Sequence, residues 1–176
     1  ANAVTANFVL DSLGDVTCFG DFNGSAYVNN INGGLMPPYD VLWTHTSGLY
    51  ATTTVTPGGN DDIDNLFGGN WVVSVIDQEG CAWSQLFSIF EPAELTLTFN
   101  SNDPTCYQFN DGSVTINSTG GNGGTIYTIL NSAGNQLNAG NSNTANQLTT
   151  GWYYATVVDN KGCLTEDSIF VDQPGQ

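Results

Sequence analysis

Positive charge is almost missing from this chain. Arg does not occur, Lys161 is the one lysine and His45 the one histidine, against seventeen Asp and Glu residues and a formal net charge of −16. No basic patch can be assembled from that inventory, so nucleic acid and anionic membrane surfaces are excluded as partners. The acidic field favours solubility, repulsion between copies and recruitment of cations. Apolar runs approaching the ~18–20 residues of a bilayer-crossing helix are missing too, so direct membrane insertion is not expected. Helical periodicity is absent and good helix formers are scarce. Zinc-site spacings are also absent. The four cysteines, Cys18, Cys81, Cys106 and Cys163, form no CxxC or CxxH, which points to disulfides in an oxidising compartment rather than to metal. Polarity comes from Asn, Thr, Ser and Gly instead of charge, a habit of extracellular proteins. The chain starts abruptly and stops at Gln-Pro-Gly-Gln, as expected of a segment of something longer.

What the chain does contain, it contains twice. VVSVIDQEGCAW (72–83) has a near-twin in YATVVDNKGCLT (154–165). DVTCFGDFNGSAYV (15–28) matches DPTCYQFNDGSVTI (103–116), placing Cys18 and Cys106 88 positions apart, whereas Cys81 and Cys163 are separated by 82. The offset falls by six, so the second module has lost six residues between its third and sixth strands. The modules are expected at 1–92 and 93–176. No Gly/Ser linker separates Pro92 from Ala93, so they are expected to abut.

Within each module, short alternating runs are broken by Gly, Asn and Asp, the signature of an all-β chain. Strands are expected at 4–10, 25–31, 39–45, 49–55, 71–77 and 84–90. Their counterparts are expected at 94–100, 113–118, 125–131, 136–139, 152–158 and 167–172. Many short strands with turn signals every 8–12 residues describe two tandem immunoglobulin-like β-sandwiches. Alternation puts Trp71, Val73 and Val75 on one face, and likewise Tyr153, Ala155 and Val157. These are the expected core positions, joined by Tyr39, Val41 and Trp43.

The first module carries Thr-Cys followed by Asn-Gly-Ser, then Gly33-Gly34, Tyr39 and Trp43. It continues through Leu66, Gly69, Asp77, Gly80 and Cys81 to Pro92. This pattern resembles the SprB-type repeat found in tandem arrays on giant surface adhesins of gliding Bacteroidota. The second module keeps the ends of the pattern but has Gln108 in place of a Gly, and Asn131 is read at the place of the Trp. The resemblance implies secretion by the type IX pathway, cell-surface display, and a role in adhesion or gliding motility.

Candidate chemistry is sparse. His45 stands in one module with no nucleophile motif beside it, and Glu79, Glu91 and Glu94 fall in a hairpin turn and at the module junction, so no catalytic residue and no enzyme activity are expected. Calcium is the one cofactor with candidate ligands: Asp21 and Asn23 in one loop, and the acidic cluster Asp61, Asp62 and Asp64. No complete oxygen-rich loop is present, however, and Asn/Asp-Gly pairs make turns without any metal. In the repeated Asp-x-x-Gly-Cys, Asp77 and Asp159 are expected to accept backbone N–H bonds across a tight turn in which Gly80 and Gly162 supply positive φ. If Tyr153 and Ala155 face inward, Trp152 and Tyr154 face outward as a possible sugar-stacking platform; the first module has Asn70 and Val72 there. Asp11-Ser12-Leu13 and Asp167-Ser168-Ile169 resemble a bacterial Asp-(Ser/Thr)-aliphatic O-glycan sequon, which nominates Ser12 and Ser168, both expected in exposed loops near module ends.

Two functional readings follow. The first is a non-enzymatic extracellular segment forming the stalk or filament of a surface adhesin, with neighbouring repeats as its partners. The alternative is a carbohydrate-binding module that uses Trp152 and Tyr154 on surface glycans. The cysteines allow three pairings. Parity suggests Cys18–Cys81 and Cys106–Cys163 within the modules. However, a seven-residue strand is ~23 Å long, whereas a disulfide needs Cα atoms within ~7 Å. Sandwich geometry puts Cys18 and Cys106 at one end of their modules and Cys81 and Cys163 at the other. That favours a head-to-tail Cys18–Cys163 bridge, leaving Cys81 and Cys106 for neighbouring modules.

Overall fold

A computed structural model describes residues 3–9, 14–138 and 140–175. Among these residues there is no helix, and the chain divides into two compact units, Ala1–Glu91 and Pro92–Gln176. In the first unit the strands are β1 (Val4–Val9), β2 (Gly24–Gly33), β3 (Tyr39–His45), β4 (Gly48–Val55), β5 (Asp61–Leu66), β6 (Gly69–Ile76) and β7 (Ala82–Ile89). They form two antiparallel sheets, β1-β2-β5 and β4-β3-β6-β7. The second unit has β8 (Thr96–Asn102), β9 (Gly112–Thr119), β10 (Ile126–Asn131), β11 (Thr144–Leu148), β12 (Gly151–Val158) and β13 (Leu164–Val171). Its sheets are β11-β9-β8 and β10-β12-β13. Each unit is an immunoglobulin-like β-sandwich.

The core of the first unit lies between its sheets. Trp71, Val73 and Val75 of β6 stand beside Tyr39, Val41 and Trp43 of β3 on the inner face of one sheet, all at most 1% exposed. Phe87 of β7 presents its ring edge-to-face to Trp43, with centroids 6.1 Å apart, and lies 4.8 Å from Phe8 of β1. Fully burying one such side chain contributes ~1.5–3 kcal/mol, so this column ties the sheets together. In the second unit Val114, Ile116, Ile129, Ala155 and Val157 are all at most 1% exposed.

The structure corrects four expectations. Residues 61–66 form β5, where Ile63 and Leu66 are buried, Asp61 is half-buried, and Asp62, Asp64 and Asn65 face solvent. Residues 144–148 form β11, with Ala145 and Leu148 inward. Residues 136–138 are not a strand, with an isolated bridge joining Gln136 to Leu130; position 139, the end of the expected strand, lies outside the described residues. Register also shows that Asn131 is not the counterpart of Trp43. Trp43 pairs with Val73 and Ile129 pairs with Ala155, the equivalent of Val73, so Ile129 fills the tryptophan's place. Asn131 pairs with Tyr153 as His45 pairs with Trp71.

No counterpart of β4 stands among the described residues, and asparagine side chains line the edge of β10. The Asn138 amide accepts from Ile129 N–H at 2.9 Å and donates to the carbonyls of Tyr127 and Ser142 at 2.8 and 2.7 Å. Asn141 accepts from Tyr127 N–H at 2.9 Å and donates to the Thr125 carbonyl at 3.0 Å. A primary amide carries the same donor and acceptor pair as a peptide unit, so it can stand in for one rung of a ladder.

Candidate functional site

The feature repeated most closely in both units is a buried carboxylate. Asp77 follows β6, is 4% exposed, and accepts at Oδ1 from the N–H groups of Glu79 and Cys81 at 3.0 and 2.8 Å. That is the expected tight-turn role. Its other oxygen does something the sequence did not announce: Oδ2 accepts from Leu35 N–H at 2.8 Å, pinning the Gly33-Gly34 loop to the Gly-Cys hairpin. Asp159 repeats the arrangement, taking Lys161 and Cys163 N–H on Oδ1 at 2.8 and 3.0 Å. Its Oδ2 takes the Asn122 N–H at 2.7 Å and the Asn122 side-chain amide at 2.9 Å. Gly34 and Gly121 hold φ of 68° and 64°, and a Cβ on either would stand 2.6 or 2.8 Å from the carboxylate. This explains why Gly-Gly and Asp-x-x-Gly-Cys occur together.

The donors set the acidity of both groups. The Leu35 N–H foremost holds Asp77 below the usual carboxylate range, against the opposing effect of burial. Burial would raise Asp159, yet the donors from Asn122, Lys161 and Cys163 lower it to about 2. Hydrogen bonds to the charged form outweigh desolvation at both sites.

The loop that carries the first cysteine of each unit is built the same way twice. Asn23 accepts from Thr17 N–H at 3.0 Å, Asp21 from Cys18 N–H at 3.0 Å, and Glu91 from Gly20 N–H at 2.8 Å. In the second unit Asp111 accepts from Thr105 N–H at 3.0 Å and Gln173 from Gln108 N–H at 3.0 Å. Gln108 adopts φ 60° where Gly20 has φ 78°. The candidate calcium ligands are thus engaged in loop closure. Asp61 likewise accepts from the Trp43 indole at 2.7 Å, while Asp62 and Asp64 face solvent from β5. Among the described residues, no three His, Cys, Asp or Glu side chains are gathered around a metal-sized site.

His45 ends β3 with its ring 4.5 Å from Phe67 and 4.9 Å from Trp71, a packing role with Ser47 Oγ on Nδ1 at 2.8 Å. Cys81 is a half-buried free thiol and Cys106 an exposed one; Cys18 and Cys163 are disulfide-bonded. Ser12 lies outside the described residues. Ser168 sits within β13 opposite Tyr154, half-buried, and not in a loop. Trp152 and Tyr154 do face solvent, at 50% and 48% exposure. Phe170, opposite Trp152, joins them with its ring 5.4 Å away. Sequence reasoning missed Phe170, although the cross-strand register of the β12–β13 hairpin contains it.

Comparison with known proteins places this geometry. Similar solved structures include a C-terminal 282-residue fragment of intimin in complex with the intimin-binding domain of the translocated intimin receptor. It has a TM-score of 0.53 and 18% identity, over 95% of this chain and 63% of that one. The N-terminal eight Ig domains of Down syndrome cell adhesion molecule isoform 1.30.30 give a TM-score of 0.51 and 11% identity, over 99% of this chain and 25% of that one. The chain therefore spans less than two thirds of either, and at these identities the likeness concerns fold alone. No curated protein matches the chain. The SprB repeat model matches residues 11–47 and 98–134, one stretch in each unit: the chain carries two SprB repeats in tandem.

Proposed function

We propose that this chain is a non-enzymatic repeat segment in the stalk of an extracellular, cell-surface adhesin, exported by the type IX pathway and serving adhesion or gliding. One observation carries the reading: what the two units share is structural, and what differs is surface chemistry. The carboxylate knot, the clamped cysteine loop and the paired sheets recur, whereas Trp152 and Tyr154 have Asn70 and Val72 as their counterparts. A duplicated binding or catalytic module would conserve its site. A spacer conserves its scaffold. The SprB repeats and the immunoglobulin-like fold agree with this.

Antibody raised against the 176-residue chain tests it. Labelling of intact cells of the source organism, together with weaker attachment or gliding when the segment is excised from the parent gene, is the expected result. Labelling only after lysis would overturn it. The same proposal includes a Cys18–Cys163 bridge, with Cys81 and Cys106 held for neighbouring repeats. Non-reducing peptide mapping that recovers a Cys18–Cys81 peptide would refute it.

A further inference from the structure

The outer face of the β10-β12-β13 sheet carries an aromatic group that neither the core nor the carboxylate knot uses. Register arranges it in rows: Trp152 beside Phe170, then Leu130, Tyr154 and Ser168, then Thr128, Thr156 and Glu166. The Trp152 and Phe170 rings meet at 60° with centroids 5.4 Å apart, and Trp152, Tyr154 and Phe170 are each about half exposed. Beyond Tyr154 opens a shallow depression of about 290 Å³ bordered by Thr156, Glu166 and Ser168. The equivalent face of the first unit has Asn70 beside Ser88, Val72 beside Leu86, and Ser74 bonded to Ser84 at 2.9 Å. No ring stands there, so the aromatic rows are not a requirement of the fold.

We propose that this face binds a neutral, unbranched glycan, with the sugar's C–H faces on Trp152 and Tyr154 and its hydroxyls in the depression. Three features select that occupant. An aromatic ledge beside hydroxyls and a carboxylate matches a pyranose, which has an apolar face and a polar rim; a purely apolar partner would leave Glu166, Thr156 and Ser168 desolvated without partners. The run from Trp152 to Thr156 covers four residue steps at ~3.4 Å, roughly 14 Å, on the order of two to three sugar rings. Finally, a chain of net charge −16 with Glu166 at the rim of the depression repels uronates, sulfated sugars and sialic acids, which leaves neutral sugars. The inference takes its setting from the adhesin reading above, but antibody labelling of cells scores that reading independently.

The test uses the full 176-residue chain, produced without glycosylation so that Ser168 is bare. It is applied to an array of neutral hexose and pentose oligomers printed beside uronate and sialylated ones. Binding to at least one neutral oligomer of three or more units is expected, with affinity at least tenfold weaker for the dimer of the same sugar. Trp152→Ala and Tyr154→Ala should each weaken binding at least tenfold, and Glu166→Gln severalfold, while Leu86→Ala in the first unit should leave it unchanged. All four side chains are solvent-facing, and circular dichroism of each variant confirms that it folds. Failure to bind any neutral oligomer, preference for the acidic sugars, or full binding by the Trp152→Ala/Tyr154→Ala double variant would overturn the proposal. So would sedimentation showing a dimer that Trp152→Ala dissolves, since a second copy would then be the occupant.

Discussion

The two units solve the same edge problem by different means. The first ends its larger sheet with β4, which pairs with β3 along its length except at Tyr50, where the register shifts, and turns mostly to solvent. The second has no such strand among its described residues and sets the Asn138 and Asn141 amides against β10. A strand covers an edge with a ladder of backbone bonds, whereas the two amides do so with five bonds that run from buried at Ile129 N–H to exposed at Asn141. Exposed edges invite pairing with other chains; in the first unit that edge passes to β4, whereas in the second the amides sit directly on the edge of β10. The comparison shows that a six-residue shortening was absorbed without opening the sandwich, because side-chain amides reproduce peptide hydrogen bonding.

The carboxylate knot gives the largest expected effect, because it is the part the units share. Asp159→Ala leaves the N–H groups of Asn122, Lys161 and Cys163 without their acceptor in a site 3% exposed to solvent. Orphaned buried donors cost ~1–3 kcal/mol each, partly relieved by water, so a loss of about 4 kcal/mol is expected, confined to the second unit. Asp77→Ala should disable the first unit in the same way. Denaturant-dependent amide exchange, followed separately in each unit, measures this. Equal loss of protection in both units from one substitution would contradict their independence.

Asn138 comes next and should break the symmetry. Asn138→Ala removes one acceptor and two donors from a side chain 6% exposed, for an expected cost of about 3 kcal/mol. The first unit, closed by a strand, should not respond. Asn138→Asp should be worse than Ala, since it turns a carboxylate oxygen towards the Tyr127 and Ser142 carbonyls. Urea denaturation of both variants ranks them, and Ala proving worse than Asp would refute the amide-for-peptide account.

Acid should weaken both units together. Asp159 has a folded-state pKa of about 2, below its value of ~3.9 in an unfolded chain. Its stabilisation is therefore complete above ~pH 4 and is lost as pH falls towards 2. Asp77, also lowered, moves in the same direction. Denaturation midpoints should be flat from pH 7 to 5 and fall below pH 4, and Asp159→Asn should flatten that fall in the second unit. An unchanged acid limb in that variant would contradict the assignment.

Much of this was legible in the sequence. The duplicated Gly-Cys hairpin, the inward rows of β6 and β12, and the turn role of Asp77 and Asp159 all follow from period-two alternation and turn chemistry. The unread parts share a cause. β5 and β11 are strands with one wet face and two inward apolar residues each, too few for alternation to stand out from polar loop sequence. The trade of Trp43 for Ile129 is visible only through register, since the offset between the modules falls from 88 to 82 across this stretch and the sequence does not say where. That Asp77 reaches Leu35, or that Asn138 replaces a strand, depends on chain segments brought together by folding. No local pattern encodes it.

The smallest effect separates the cysteine loops. Gly20 and Gln108 occupy the same left-handed position, with φ 78° and 60°, and both donate N–H to a side chain at the end of the last strand. A residue with a Cβ is disfavoured there by ~1–2 kcal/mol, while Gly gives back ~0.4–1 kcal/mol through a freer unfolded chain. Gln108→Gly should therefore stabilise the second unit by about 0.5 kcal/mol, and Gly20→Gln should destabilise the first by a similar amount. The loop itself should persist in both variants, because the closing bonds come from Asp111 and Gln173 in one unit and from Asn23 and Glu91 in the other. If Gln108→Gly destabilises instead, the Gln108 side chain has a role that its backbone conformation does not explain. The comparison of the two loops would then have to be drawn on side chains rather than on φ.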